Sequence, residues 1–249
     1  QCPVSTYQQF VPRDDDGWRK QKLEFSAEHT AFVMMHAWEA PNPSDLIGWQ
    51  RAVPYLREVA EISETVFPPI LAAARAHNFP IFHVTGCVES SDAVDVPTDP
   101  TWSNLRQFRE HKVFPGHANL SDVAEGRRTR HIASGAVALP GEGTAETSAD
   151  LHNLCRQHGI NHLIYLGFAI NWCLLMSPGG MVDMKRYGYL CSTVAEATTA
   201  VENEISAPHR IKFHQALWRV ESLSLLRRRS RSAPQPRQQS RDGRPEMDR

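Results

Sequence analysis

Cys173 is the side chain in this 249-residue chain best placed for covalent chemistry. It follows the apolar run INHLIYLGF, Ile160 to Phe168, after the short segment Ala169, Ile170, Asn171 and Trp172, and helical spacing begins there. A thiol at the start of a helix feels the positive end of the helix dipole, which favours the nucleophilic thiolate. Backbone N–H groups around Ile170 and Cys173 could hold an oxyanion. A second reactive group closes the first apolar run, TAFVMMH: His36, followed by Trp38 and Glu39. A neutral imidazole there could act as general base, and a protonated one could pair with the thiolate. Trp38, Glu39 and Trp172 would line a pocket for a planar or apolar substrate. Each residue also has a plainer reading. A cysteine after a buried strand fills apolar space, a strand-end histidine is held by structural hydrogen bonds, and aromatic rings pack in cores.

The elements that must position these groups follow from periodicity. Residues 1–25 mix prolines, aromatics and an acidic triplet, Asp14 to Asp16, without a period, and are expected to form an N-terminal arm. Residues 26–226 form one α/β domain. Thr30 to His36, Pro80 to Gly86 and Ile160 to Gly167 read as strands, the first two as runs buried on both faces, and Gly188 to Ala200 as another strand with an exit loop. PNPSDLIGWQ reads as a loop, and Ala52 to His77 as a helix broken at Pro68 and Pro69. ETSADLHNLCRQHG reads as a helix capped by Thr147 or Ser148 and stopped by Gly159. A further helix after Asn171, interrupted at Ser177 to Gly180, and the amphipathic IKFHQALWRVESL complete the alternation. Alternating strands and helices predict a three-layer, doubly wound, mostly parallel sheet. Ligands gather beyond the carboxyl ends of such strands, the edge His36 and Cys173 reach. The polar span from Glu89 to Ala133 is long enough for a lid or an oligomer contact.

GFAINWC, Gly167 to Cys173, resembles the signature of the isochorismatase-like cysteine hydrolases, in which a glycine, a small residue and a polar pair precede the nucleophilic cysteine. The likeness extends over residues 27 to 220: the first strand, ILAAARAHNFP, IFHVTG, the pair Pro140 and Glu142 before LHNLCRQHGI, and EATTAVE after the last strand. It implies that fold and cofactor-independent hydrolysis of a small amide, imide or related acyl compound. It also implies a non-proline cis peptide, expected at Ala169–Ile170. The chain departs from the family where activation is concerned. The family's aspartate at the end of the first strand, within a DMQ-like triplet, is matched by His36, Ala37 and Trp38. The family's lysine has no counterpart in PGEGTAETSADLH, and Ile170 replaces the usual threonine. Two readings stay open: a hydrolase in which His36 moves the proton, and a catalytically silent member serving as a binding or oligomeric scaffold.

Composition narrows the classes. The chain is 41% hydrophobic and 22% charged with a formal net charge of −1, so no overall field gathers nucleic acid or an anionic membrane. Residues 227–249 carry eight arginines against Asp242, Glu246 and Asp248, with almost no apolar residue, and are expected to be a disordered tail. Five widely spaced cysteines without a CxxC pair argue against a disulfide framework or zinc ribbon, and fit a reducing compartment. Twelve histidines form neither HxH nor HExxH, so no metal is expected. No run spans a bilayer and no leader pattern opens the chain. A cytoplasmic homo-oligomer acting on a small molecule is the expectation.

Overall fold

Apolar runs separated by helix-length segments are buried on both faces when they lie side by side in a parallel sheet with helices above and below. The computed structural model describes residues 2–6, 19–42, 44–53, 55–85, 100–222 and 226–228. In chain order the elements are β1 (Cys2–Thr6), β2 (Arg19–Leu23), β3 (Thr30–Met35), α1 (Ile47–Ala52), α2 (Leu56–Glu61), a π turn (Ile62–Val66) and α3 (Phe67–Ala76). Then come β4 (Ile81–Val84), α4 (Pro100–Lys112), α5 (Leu120–Thr129), β5 (Gly143–Ala145), α6 (Ser148–Gln157), β6 (His162–Gly167) and α7 (Cys173–Met176). The chain continues through α8 (Met181–Arg186), β7 (Leu190–Thr198), α9 (Ile211–Ser222) and β8 (Leu226–Arg228).

One sheet runs in the order β5-β4-β3-β6-β7-β8, and every pairing in it is parallel. Side chains alternate between two cores. Val33, Met35, Leu163 and Tyr165 pack under Leu151 and Cys155 of α6, Leu174 of α7, Met184 of α8 and Leu217 of α9. Met34, Ile164 and Leu166 pack on the other face against Val59 of α2 and Phe67 and Leu71 of α3. The result is the expected three-layer α/β fold. From β3 the chain first winds outward through β4 and β5, then returns to lay β6 on the opposite side of β3. Loops leaving β3 and β6 therefore diverge, and a crevice opens between their carboxyl ends. Among the described residues no helix is long and apolar enough to cross a membrane.

Several local expectations change. The segment read as a loop before Gln50 contains the start of α1, which the Gly48 N–H anchors by donating to Asp122 Oδ2 of α5 at 2.7 Å. That anchor is tertiary, so no local signal announces it. Pro68 and Pro69 do not break the helix: they occupy the first turn of α3, where a missing N–H costs least, and the wider π turn precedes them. Much of the 89–133 span is helical, with α4 and α5 joined through a 3-10 turn at His117–Asn119, while residues 86–99, including Cys87, lie outside the described residues. The arm contributes β1 and β2, which pair antiparallel. Arg227 and Arg228, read as the start of the tail, pair with Thr193 and Val194 in β8, since a sheet edge accepts any backbone that offers N–H and C=O groups. The tail from residue 229 lies outside the described residues. Thr147 is the cap of α6 and forms a reciprocal capping box with Asp150, and Gly159 follows the helix at φ 64°.

Glu142 of the Pro140–Glu142 pair ties β5 to its neighbours. Its carboxylate takes Arg75 Nε at 2.7 Å, His83 Nε2 at 2.8 Å and the Leu139 N–H at 2.9 Å. Burial works to raise its pKa, but Arg75, the Leu139 N–H and His83 together outweigh burial and bring it down to about 2. The folded-state value lies below the ordinary 4.5, so the stabilisation is present above about pH 4.5 and is lost as the pH falls toward 2. Glu142→Gln is expected to remove on the order of 2 kcal/mol near neutral pH and to flatten the acid limb of stability against pH. Urea midpoints measured across that range check this, and an unchanged acid limb in the variant would contradict it.

Candidate active site at the sheet switch point

The Cys173 turn is built against the end of β3. Gly167 closes β6 at φ 123°, and a Cβ there would overlap the Met35 carbonyl, so only glycine lets the two strand ends meet this closely. The Phe168 N–H then donates to that same carbonyl at 3.1 Å. The Ala169 carbonyl accepts from the N–H groups of Trp172 and Leu174, curling the chain into α7 with Cys173 as its first residue. Asn171 fastens the turn to the exit of β7: its amide donates to the Val201 carbonyl at 3.0 Å, and its oxygen accepts the Val201 N–H at 2.9 Å. A register shift between Tyr165 and Gly167 along β6 brings Thr198 opposite Gly167, and so Thr199 to the turn. The Thr199 hydroxyl donates to Glu58 of α2 at 2.7 Å, and Glu58 also takes Arg210 at 3.0 Å. The EATTAVE segment is thereby the outer brace of the cysteine turn.

Two backbone expectations need correction. The non-proline cis peptide lies at Phe168–Ala169, one bond earlier than Ala169–Ile170. No residue type marks such a bond, so spacing alone misplaces it by one. The Ile170 N–H is not an oxyanion donor, because it donates to the Thr199 carbonyl at 2.8 Å. Nor is α7 a long dipole: it is a single turn of four residues, so any bias toward thiolate from it is small.

Cys173 is half-buried and lines a cavity of about 170 Å³ together with His36, Trp38, Tyr55, Phe168 and Trp172. His36, just beyond β3, is buried, holds φ 49° and donates its N–H to the Val84 carbonyl. It stands between this cavity and a second one reaching His83. Trp38 meets Trp49, Tyr55 and Phe168 edge-on, with ring centroids 6.0 to 6.2 Å apart, and forms the inner wall. Trp172 is largely exposed at the rim, edge-on to Phe114. Glu39 is not in this cavity. Residues 37–39 run antiparallel to 131–133 through a bridge at Trp38 and Ile132, so consecutive side chains alternate, and Trp38 inward puts Glu39 outward. Its carboxylate meets His131 Nε2 at 2.8 Å, beside a separate open cavity of about 430 Å³.

Three groups on the cavity were invisible to sequence reasoning. Tyr55 precedes α2, and its hydroxyl pKa is raised, chiefly by burial and further by Cys173, with Arg130 pulling the other way. The hydroxyl therefore stays protonated, a hydrogen-bond donor within electrostatic reach of the thiol. Arg127 and Arg130 lie at the end of α5 and line the same cavity. Their only trace in the sequence is the basic cluster GRRTR, which does not say where it points. The other described thiols with defined surroundings, Cys155 and Cys191, are buried, and burial pushes each up to about 12. Among the described residues no three His, Cys, Asp or Glu side chains converge as a metal site requires.

No family model and no curated protein matches the chain. Solved structures do resemble it. A cysteine hydrolase from Pseudomonas syringae pv. phaseolicola is 12% identical over 80% of this chain and 88% of its own, with a TM-score of 0.47. An isochorismatase from Pseudomonas putida is 18% identical over 84% and 91%, at 0.46. A nicotinamidase from Staphylococcus aureus is 13% identical over 81% and 99%, at 0.44. In layout the chain resembles isochorismatase-family structures. The fold itself is read from the strand order above.

The contact at Gly167 is open to direct test. Gly167→Ala is expected to cost on the order of 3 kcal/mol by chemical denaturation, since strained φ and overlap with backbone combine. A loss below about 0.5 kcal/mol, the scale of a neutral surface change, would mean that the strand ends separate easily.

Proposed function

We propose that the protein is a cofactor-independent hydrolase of the isochorismatase-like kind, acting on a small amide, imide or related acyl compound. The observation that carries this reading is the meeting of Cys173, His36 and Tyr55 on one cavity at the switch point between β3 and β6. A cavity of about 170 Å³ matches a single-ring substrate, because roughly 150 Å³ already holds benzene. In this reading Cys173 Sγ attacks the acyl carbon and His36 takes the thiol proton. The Tyr55 hydroxyl donates to the oxyanion, a role the Ile170 amide cannot fill. Collapse breaks the bond to the leaving amine, which receives the proton from His36, and water then hydrolyses the thioester with His36 again as base.

Cys173→Ala is expected to abolish turnover of a panel of small amides and imides. Tyr55→Phe is expected to lower kcat about 100-fold with the fold intact, the usual scale for losing one oxyanion donor. Equal turnover in the native and Cys173→Ala proteins, or none in either, rejects the nucleophile.

A second reading is favoured by one observation: no carboxylate and no lysine occurs among the described residues lining the Cys173 cavity, so the groups that activate the thiol in the family have no equivalent there. The protein would then be a catalytically silent scaffold. Iodoacetamide labelling against pH, with peptide mapping, separates the two. The hydrolase reading expects rapid labelling of Cys173 with an apparent pKa below the free value of about 8.5, and protection of buried Cys155 and Cys191. Titration at or above that value supports the scaffold.

A further inference from the structure

His36 separates the Cys173 cavity from one of about 250 Å³ that Cys173 does not line. Strand register sets the floor of this space. Met34 of β3 is paired with His83 of β4, and His83 with Thr144 of β5, so the three side chains stand on one face of the sheet. Residues 132–138 form the roof. The Ala133 N–H donates to the Ala37 carbonyl at 2.9 Å, and the 3-10 turn Ser134–Ala136 is pressed onto the π turn, where a Cβ on Gly135 would stand 2.6 Å from the Ser63 carbonyl oxygen. Ala136 and Ala138 then leave the space beneath them open. One buried polar group makes that space selective. His83 is 5% exposed and places Nε2 2.8 Å from Glu142, which does not line the cavity, while Nδ1 has no hydrogen-bond partner among the described residues. Glu142 is a carboxylate already paired with Arg75, and a carboxylate only accepts, so Nε2 carries the ring proton. In the neutral imidazole Nδ1 is therefore a lone-pair acceptor.

We propose that this cavity is a binding site for a neutral, largely apolar alcohol or phenol whose hydroxyl donates to His83 Nδ1. Among the described residues no Asp, Glu, Lys or Arg lines it, so an ionic ligand would lose water without gaining a counter-charge, whereas Met34, Ala37, Val84 and Ile132 suit hydrocarbon. Since roughly 150 Å³ already holds benzene, about 250 Å³ takes a ring with a short side chain. An ether or ketone of similar shape brings an acceptor only and sets its lone pairs against that of Nδ1. The site goes beyond the hydrolase reading and does not rest on it, because none of its chemistry involves the thiol.

The test is calorimetric titration of the full chain with para-ethylphenol and with its methyl ether, para-ethylanisole. The phenol is expected to bind at least about tenfold more tightly, the scale on which a buried acceptor left unsatisfied is felt. Val137 is exposed at the cavity mouth, so Val137→Trp fills the space from the solvent side and is expected to weaken phenol binding at least about tenfold, with circular dichroism verifying the fold. His83→Phe is expected to bind phenol and ether alike. Should that variant fail to fold for want of the Glu142 contact, the phenol-to-ether ratio and Val137→Trp decide the matter. Equal binding of the two probes to the native chain, undiminished phenol binding in Val137→Trp, a preference that survives in folded His83→Phe, or no phenol binding into the millimolar range overturns the inference. None of these outcomes bears on Cys173, whose reactivity is read separately in the iodoacetamide titration.

Discussion

The close approach of Gly167 to the Met35 carbonyl is the constraint on which the rest of the site depends. In a parallel sheet the ends of adjacent strands ordinarily send their chains apart, and at a switch point the connections leave toward opposite faces. Here the end of β6 is pulled onto the end of β3, and the Met35 carbonyl takes the Phe168 N–H. The turn to α7 is thus referenced to β3, the same strand that delivers His36. Thiol and imidazole reach one cavity because both are measured from a single carbonyl oxygen.

That anchor works with a brace on the far side. Asn171 uses both ends of its amide on Val201, and Thr199 spends its carbonyl on Ile170 and its hydroxyl on Glu58. Every backbone donor used this way raises the rigidity of the turn and removes an oxyanion candidate. The chain uses the Ile170 amide for position, and the Tyr55 hydroxyl, a phenol from a different segment, lines the same cavity as the thiol. Burial keeps that phenol protonated across the ordinary pH range.

The cavity's outer half comes from the residues between β3 and β5 that look least regular in sequence. Gly48 and Gly126 let α1 and α5 approach, one by an N–H to Asp122 and the other by making room for Trp49. This contact turns a polar excursion into a wall that carries two arginines toward the sheet. It also borders the open cavity around Glu39, which shares Trp49 and Arg130 with the Cys173 cavity and adds the carboxylates of Glu39, Asp45 and Glu125.

The sequence by itself determined the alternation of strands and helices, the layers, and the place of Cys173 just after β6. Two-faced apolar runs such as Thr30 to Met35 and His162 to Gly167 leave no stable arrangement but a covered parallel sheet, and Thr147 with Asp150, or Gly159, mark helix ends by short-range hydrogen bonds and backbone freedom. Only the tertiary structure decided that Tyr55, Arg127 and Arg130 join Cys173, that Glu39 turns away, and that the cis bond falls at Phe168–Ala169. The physical reason is range. Periodicity and capping act over a few residues, whereas these outcomes depend on contacts across more than 40 positions, where a glycine without a side chain or one bridged residue pair sets which way a group faces, and neither leaves a pattern in composition or spacing.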